Sequence, residues 1–250
     1  METGLQGKVV LVTGGARDVG REISLAFARE GAVVAVNYNS SAAEADAVVA
    51  AVKAAGSDAR AYQSDVADNE SVKRMVAAVM KDYGRIDVVV NNAGYTKRQR
   101  FVDTTPEDWK RQIDVGLYGP IHTSHAVLPH MIRQNSGRII MFAGDSSRIG
   151  ENGLALAAAS RAGALALAKS LAREVGRANI TVNAISLGLV ETPHDKVWLD
   201  ENREKLVRFY PMRRLGQTSD VAPTVVFLAS EHASWITGQI ISVNGGFSMV

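Results

Sequence analysis

Residues 8–22, KVVLVTGGARDVGRE, decide the fold. An apolar run from Lys8 to Thr13 passes into TGGARDVGRE, Thr13 to Glu22, and from there into a helical pattern starting near Val19. A buried strand followed without a linker by a glycine turn and a helix is the first half of a βαβ crossover. In such a turn the missing Cβ lets backbone N–H groups approach a pyrophosphate, which then rests on the positive end of the helix. Gly14 and Gly20 are the candidates for that role. Taken alone, a glycine turn is weak evidence of a ligand.

The rest of the chain repeats the same alternation. Near-continuous apolar segments at Val33 to Tyr38, Arg60 to Gln63, Ile86 to Val90, Arg138 to Phe142, Ile180 to Ile185 and Ile240 to Val243 read as strands covered on both faces. Helical patterns begin near Ser41, Ser71, Pro106, Leu154 and Asp220, with a polar segment from about His194 to Gly216. The predicted fold is α/β: a single-domain, doubly wound Rossmann fold with a seven-stranded parallel sheet, covering residues 1–250. The start of the helix at Pro106 is well signalled, with Thr105 able to cap, Pro106 suited to the first turn, Glu107 and Asp108 near the positive end, and Gly137 beyond the far end.

Composition excludes several function classes. Lys plus Arg is 28 against 26 for Asp plus Glu, a net charge of +2 without a long like-charge run, so nucleic acid is not the expected partner. There is no cysteine, hence no disulfide, thiolate nucleophile or Cys-based metal site. The first fifteen residues lack the basic start and long apolar centre of a signal peptide, and no apolar run reaches the ~18 residues of a spanning helix, so a cytoplasmic location is expected and no membrane partner. His122 and His125 lack a third ligand, which sets metal catalysis aside.

Further motifs join the glycine turn: Asp65-Val66 after the third strand, NNAG at Asn91 to Gly94, ITVNAIS at Ile180 to Ser186 and GQIISVNGG at Gly238 to Gly246. Together they resemble the short-chain dehydrogenase/reductase family over essentially the whole chain. The resemblance implies a nicotinamide cofactor, NAD or NADP, at the carboxyl ends of the strands, with Gly14 and Gly20 at the turn, Asp65 facing the adenine and Asn92 along the ribose. Tyr38 stands where many relatives carry the acid that selects NAD, and Arg17 matches a position that faces a 2′-phosphate, which leans toward NADP(H). The family's middle glycine is Asp18, whose carboxylate either repels the diphosphate, weakening dinucleotide binding, or points away and caps the helix.

The catalytic positions depart further. The family's reaction uses a Tyr proton donor, a Lys four residues later, a Ser that polarises the carbonyl and an Asn that holds a water relay; here these fall on Ala157, Arg161, Gly144 and Gly116. A positioned general acid is worth about 10² to 10⁴ in rate, and a carbonyl-polarising donor about 10² to 10³, so the chain is expected to have no catalytic residues of its own. Leu187-Gly188 replaces the family's Pro-Gly after the sixth strand. The loop GDSSRIGENG, Gly144 to Gly153, resembles the Ser-Asp-x-x-Arg-x-Gly pattern of relatives that oxidise hydroxyacyl-CoA thioesters in aromatic and alicyclic acid degradation, a branch in which a degenerate subunit can accompany a complete one. The resemblance implies a non-catalytic subunit beside a homologous, catalytically complete partner in a hetero-oligomer, a tetramer, acting on a small-molecule or CoA-ester substrate. The alternative is a self-sufficient NADP(H)-dependent 3-oxoacyl or carbonyl reductase whose donor has moved to Tyr95, Tyr118, Asp145, Ser146, Ser147 or His194. Subunit contact is expected through the helices at Pro106 to Gln134 and Leu154 to Arg177, with Ala164 and Ala168 facing outward.

Overall fold

The computed structural model describes residues 2–193 and 196–250. Its elements run β1 (Val9–Val12), α1 (Asp18–Arg29), β2 (Val33–Tyr38), α2 (Ala42–Ala54), β3 (Ala59–Gln63), α3 (Asn69–Tyr83), β4 (Val88–Asn91), α4 (Pro106–Ile113), α5 (Gly119–Gln134), β5 (Gly137–Gly144), α6 (Ser146–Ile149), α7 (Ala155–Val175), β6 (Ile180–Leu187), α8 (Lys196–Leu206), α9 (Thr218–Ala229) and β7 (Ile240–Val243). The seven strands form one parallel sheet in the order β3-β2-β1-β4-β5-β6-β7. The order reverses between β1 and β4, which leaves a crevice at their carboxyl ends. Each face of the sheet carries its own apolar layer. Ile23 and Phe27 of α1 and Val225 and Leu228 of α9 cover one side, and Met75, Val79, Val127, Met131, Leu165 and Ala168 from α3, α5 and α7 cover the other.

Two expectations are corrected. The helix from Pro106 is not continuous, because residues Asp114–Tyr118 widen into a π turn between α4 and α5. Its far end falls at Gln134 as expected, capped by Asn135 with φ 49° and with Gly137 beyond it opening β5; Asn tolerates the left-handed conformation because its short side chain bonds locally. Ala164 and Ala168 do not face outward: they are 0% and 1% exposed. On α7 the positions 157, 160, 164, 168, 172 and 175, spaced three and four apart, all turn toward the sheet, and the exposed alanines are Ala155, Ala159 and Ala166. The polar segment after β6 holds α8, whose Leu199 packs with Tyr210 and Leu215. Among the described residues no helix is long and apolar enough to cross a membrane.

Candidate functional site

A cleft of about 490 Å³ opens at the carboxyl ends of β1, β2 and β4, and Gly14, Arg17, Gly20, Asp65 and Asn92 all line it. The turn at its base is held by side chains rather than by loop length. Asn37 Oδ1 accepts from Gly14 N at 3.1 Å, Asn92 Nδ2 donates to the carbonyls of Thr13 and Gly14 at 3.0 and 3.1 Å, and Ser24 Oγ donates to Gly20 O at 2.9 Å. Gly14 has φ +60°, and a Cβ on Gly20 would stand 2.1 Å from Gly14 O. The two glycines are therefore required by backbone conformation and by helix-to-strand contact respectively.

Asp18 also adopts a left-handed conformation, φ 51°. The chain keeps the shape a glycine would give there, and the carboxylate lines the cleft. The capping expectation is corrected: residue 17 is the N-cap and makes no side-chain cap, and α1 carries Asp18 in its first turn without a capping bond. Arg17 is exposed at the rim.

Asp65 and Asn92 are already engaged. Asp65 accepts from Ala67 N at 3.0 Å and from Arg111 Nη1 at 2.9 Å. Arg111 was not singled out from the sequence. It stands on α4 at the cleft wall, and because Asp65 is 46 residues away no local spacing marks it. Its guanidinium sits 6.0 Å from the Tyr95 ring, and the Arg111–Asp65 pair ties α4 to the loop after β3 along the cleft wall.

The four positions expected to carry chemistry lie on the π turn, the end of β5 and α7, with Ala157 and Gly116 buried. Gly116 has been filled by a neighbour. A Cβ there would meet Ser160 Oγ at 2.6 Å, and Ser160 in turn donates to Ala157 O at 3.1 Å. Gly144 is different, since a Cβ would find nothing closer than Ser146 Oγ at 3.5 Å. Arg161 projects into the cleft and lies so near the NNAG loop that a Cβ on Gly94 would stand 2.7 Å from its Nη2. Burial pushes the Arg161 guanidinium below its ordinary value of 12.5; with that starting point it remains a cation and cannot relay a proton.

The alternative donors separate cleanly. Tyr95 lines the cleft and is 42% exposed. Tyr118 does not line it and stacks on His122, centroids 5.8 Å apart, while His122 Nδ1 contacts Val66 O at 3.0 Å. Asp145 is buried and accepts from Ser186 Oγ at 2.7 Å and Asn244 Nδ2 at 2.6 Å, which makes it a tie between β5, β6 and the segment after β7. Ser147 Oγ donates to Gly144 O at 2.6 Å, and Ser146 is buried. His194 lies outside the described residues. Among the described residues no three metal-ligating side chains cluster.

The sequence reading also missed Tyr210. Its ring stacks on Phe247 at 5.1 Å, its hydroxyl accepts from Leu189 N at 2.8 Å, and burial pushes its pKa up. It lines a separate cavity of about 140 Å³ beneath the strand end at Gly188. Leu187 lines the main cleft, and Gly188 is crowded, with Asn244 Cα and Tyr210 Cε1 each 3.0 Å from where a Cβ would be.

Comparison with known proteins places the chain in context. A family model described as enoyl-(acyl carrier protein) reductase matches residues 14–248. The 3-oxoacyl-[acyl-carrier-protein] reductase FabG of Staphylococcus aureus is 42% identical over 242 residues, 97% of this chain and 98% of that protein. A 3-oxoacyl-[acyl-carrier-protein] reductase of Synechocystis sp. is 38% identical over 248 residues, 99% of each chain. The crystal structure of the protein gox2181 superposes with a TM-score of 0.94 at 32% identity, over 97% of this chain and 96% of that one.

Proposed function

The chain belongs to the short-chain dehydrogenase/reductase family of oxidoreductases, and on that premise we propose that it serves as a non-catalytic subunit of an NAD(P)-dependent hydroxyacyl or 3-oxoacyl thioester oxidoreductase in the cytoplasm. One observation carries this. Gly116, Gly144, Ala157 and Arg161 bring no hydroxyl to the cleft where the family's proton donor stands, and Ser160 occupies the room at Gly116. A dinucleotide fits the cleft's chemistry: the N–H groups of the Gly14 to Gly20 turn would take the diphosphate, Asp65 would turn to the adenine after releasing Arg111, Asn92 would lie along the ribose, and Arg17 would reach a 2′-phosphate. When bound, that group supplies or accepts hydride; this chain's residues hold and orient it. The resemblance of Gly144 to Gly153 to the CoA-ester branch favours a hydroxyacyl-CoA in aromatic acid degradation, and within it the pathway of anaerobic toluene breakdown, where a silent subunit accompanies an active one in 2-[hydroxy(phenyl)methyl]succinyl-CoA dehydrogenase.

The test is co-expression with a homologous chain that carries the complete Asn, Ser, Tyr and Lys set. The expected result is a stable hetero-oligomer whose turnover resides in the complete chain. Bulky replacement of the exposed Ala159 or Ala166 on α7 should dissociate it without lowering this chain's melting temperature. Failure of the two chains to associate would end the proposal.

A second reading is favoured by the 42% identity to a FabG over nearly the full length: a self-sufficient NADP(H)-dependent 3-oxoacyl or carbonyl reductase with a relocated donor. Tyr95 is the described candidate that lines the cleft. Turnover by the purified chain, abolished by Tyr95→Phe, would select it.

A further inference from the structure

Several arginines in this molecule are paired with carboxylates. Arg85 pairs with Asp87, Arg203 with Glu191 and Arg214 with Asp220, and in each case the carboxylate raises the guanidinium's pKa. Arg111 in the same cleft pairs with Asp65 at 2.9 Å. Arg161 contrasts with these, since it lies half-buried in the cleft wall without a carboxylate beside it. Among the described residues no carbonyl, carboxylate or hydroxyl accepts from it, and burial lowers its proton affinity with no charged neighbour offsetting it. A guanidinium offers five donors in a rigid fork suited to a carboxylate or phosphate, and here they are left to the cleft.

The surroundings hold that fork in place. The missing Cβ of Gly94 leaves a seat for Nη2, which a side chain at 94 would take at 2.7 Å. Residue 157, one turn earlier on α7, is a buried alanine, so nothing larger fills the space beside it. Gly116 on the facing π turn presents no side chain. The result is a cation aimed into an open cleft from a wall of small residues.

We infer that Arg161 makes the inner part of this cleft a binding site for an anionic group, a carboxylate or phosphate of a small metabolite, which the chain binds rather than transforms. The inference goes beyond the subunit proposal and holds whether the chain works alone or with a partner. Carboxylate and phosphate sources share the same fork chemistry, so the experiment separates them.

The purified full-length chain is titrated calorimetrically with succinate, with inorganic phosphate and with NADPH at low and at 0.5 M added salt, roughly five-fold beyond the ~0.1 M at which the screening length is about 10 Å. The expected result is saturable binding of succinate or phosphate that weakens with salt and falls at least about tenfold, or 1.4 kcal/mol, in Arg161→Gln, while Arg173→Gln, at the far end of α7 and outside the cleft lining, leaves it unchanged. Succinate binding alone identifies an acidic-substrate site; phosphate binding in competition with NADPH identifies a phosphate of the nucleotide. A second variant, Arg161→Lys, keeps the charge and loses the fork, and should bind between the unmodified chain and Arg161→Gln. Absence of Arg161-dependent binding by succinate, phosphate and NADPH would overturn the inference and make Arg161 a packing residue.

Discussion

Two ends of one cleft contrast. At the β1 end, the glycine turn is held by Asn37, Asn92 and Ser24, and two of its glycines are sterically required. At the α7 end, three of the four positions singled out from the sequence hold glycine or alanine and the fourth is Arg161, with Ser160 against Gly116 and Arg161 against Gly94. The scaffold is the same around both. The difference teaches that this fold's stability depends on the sheet and its two apolar layers, to which the residues at those four positions contribute little.

The largest expected effect comes from rebuilding the emptied end. Gly116→Asn, Gly144→Ser, Ala157→Tyr and Arg161→Lys, made together with Ser160→Ala to clear the 2.6 Å clash, should raise nucleotide-dependent turnover of a 3-oxoacyl thioester by about 10² or more. Spectrophotometric assay of reduced nucleotide reads it. If the unmodified chain already turns over at about 1 s⁻¹, the contrast between the two ends collapses.

Next in size are steric probes of each end. Gly20→Ala places a Cβ 2.1 Å from a backbone carbonyl that cannot yield, and should destabilise by about 3 kcal/mol or prevent folding. Gly116→Ala meets only a side chain at 2.6 Å, should lose about 1–3 kcal/mol, and should recover most of it when Ser160→Ala is added. Denaturant midpoints at constant m measure both. Equal, unrescued losses would mean that Gly116 is as rigidly required as Gly20.

Asp18→Gly sharpens the comparison from the turn side. It relieves a left-handed non-glycine residue and removes a negative charge from the cleft wall, so dinucleotide should bind tighter by ~1 kcal/mol, about fivefold. Unchanged affinity by calorimetry would show that the carboxylate points away from the bound group.

The smallest effect concerns α8. The Arg203 guanidinium, bonded to Glu191, holds that carboxyl below its ordinary value of 4.5. A depressed folded-state pKa gives a contribution present above the unfolded value and lost as pH falls through the folded one. Amide exchange in α8 should therefore accelerate only below about pH 4.5, where the carboxyl begins to protonate. Glu191→Gln should accelerate it at neutral pH with little change in global melting, since exposed pairs are worth ~1 kcal/mol or less.

The fold was legible because its signals are local. A β-branched run looks the same whichever neighbours it acquires: Val33–Tyr38 is mostly buried and Ile240–Val243, at the sheet edge, is only partly so, and both ranges agree with the observed strands. The pocket-lining positions Gly14, Arg17, Gly20, Asp65 and Asn92 were legible from motif spacing. The direction of the alanines on α7 was not, because LALAAASRAGALALAKSLA is small and apolar on every side, so periodicity could not tell the sheet face from the outer one. Arg111 was missed because its partner, Asp65, is 46 residues away.

By itself, the sequence determined the order of strands and helices and the glycine turn, since each depends on residue type at fixed spacing along one chain. Tertiary structure alone decided that Asp18 lies in a left-handed conformation without capping, that Ser160 fills the space at Gly116, that Asp65 is tied to Arg111, and that Arg161 faces the cleft with no described acceptor. Those are facts about atoms brought together across the sheet, and through-space distances are set by packing of whole layers rather than by any local run of residues.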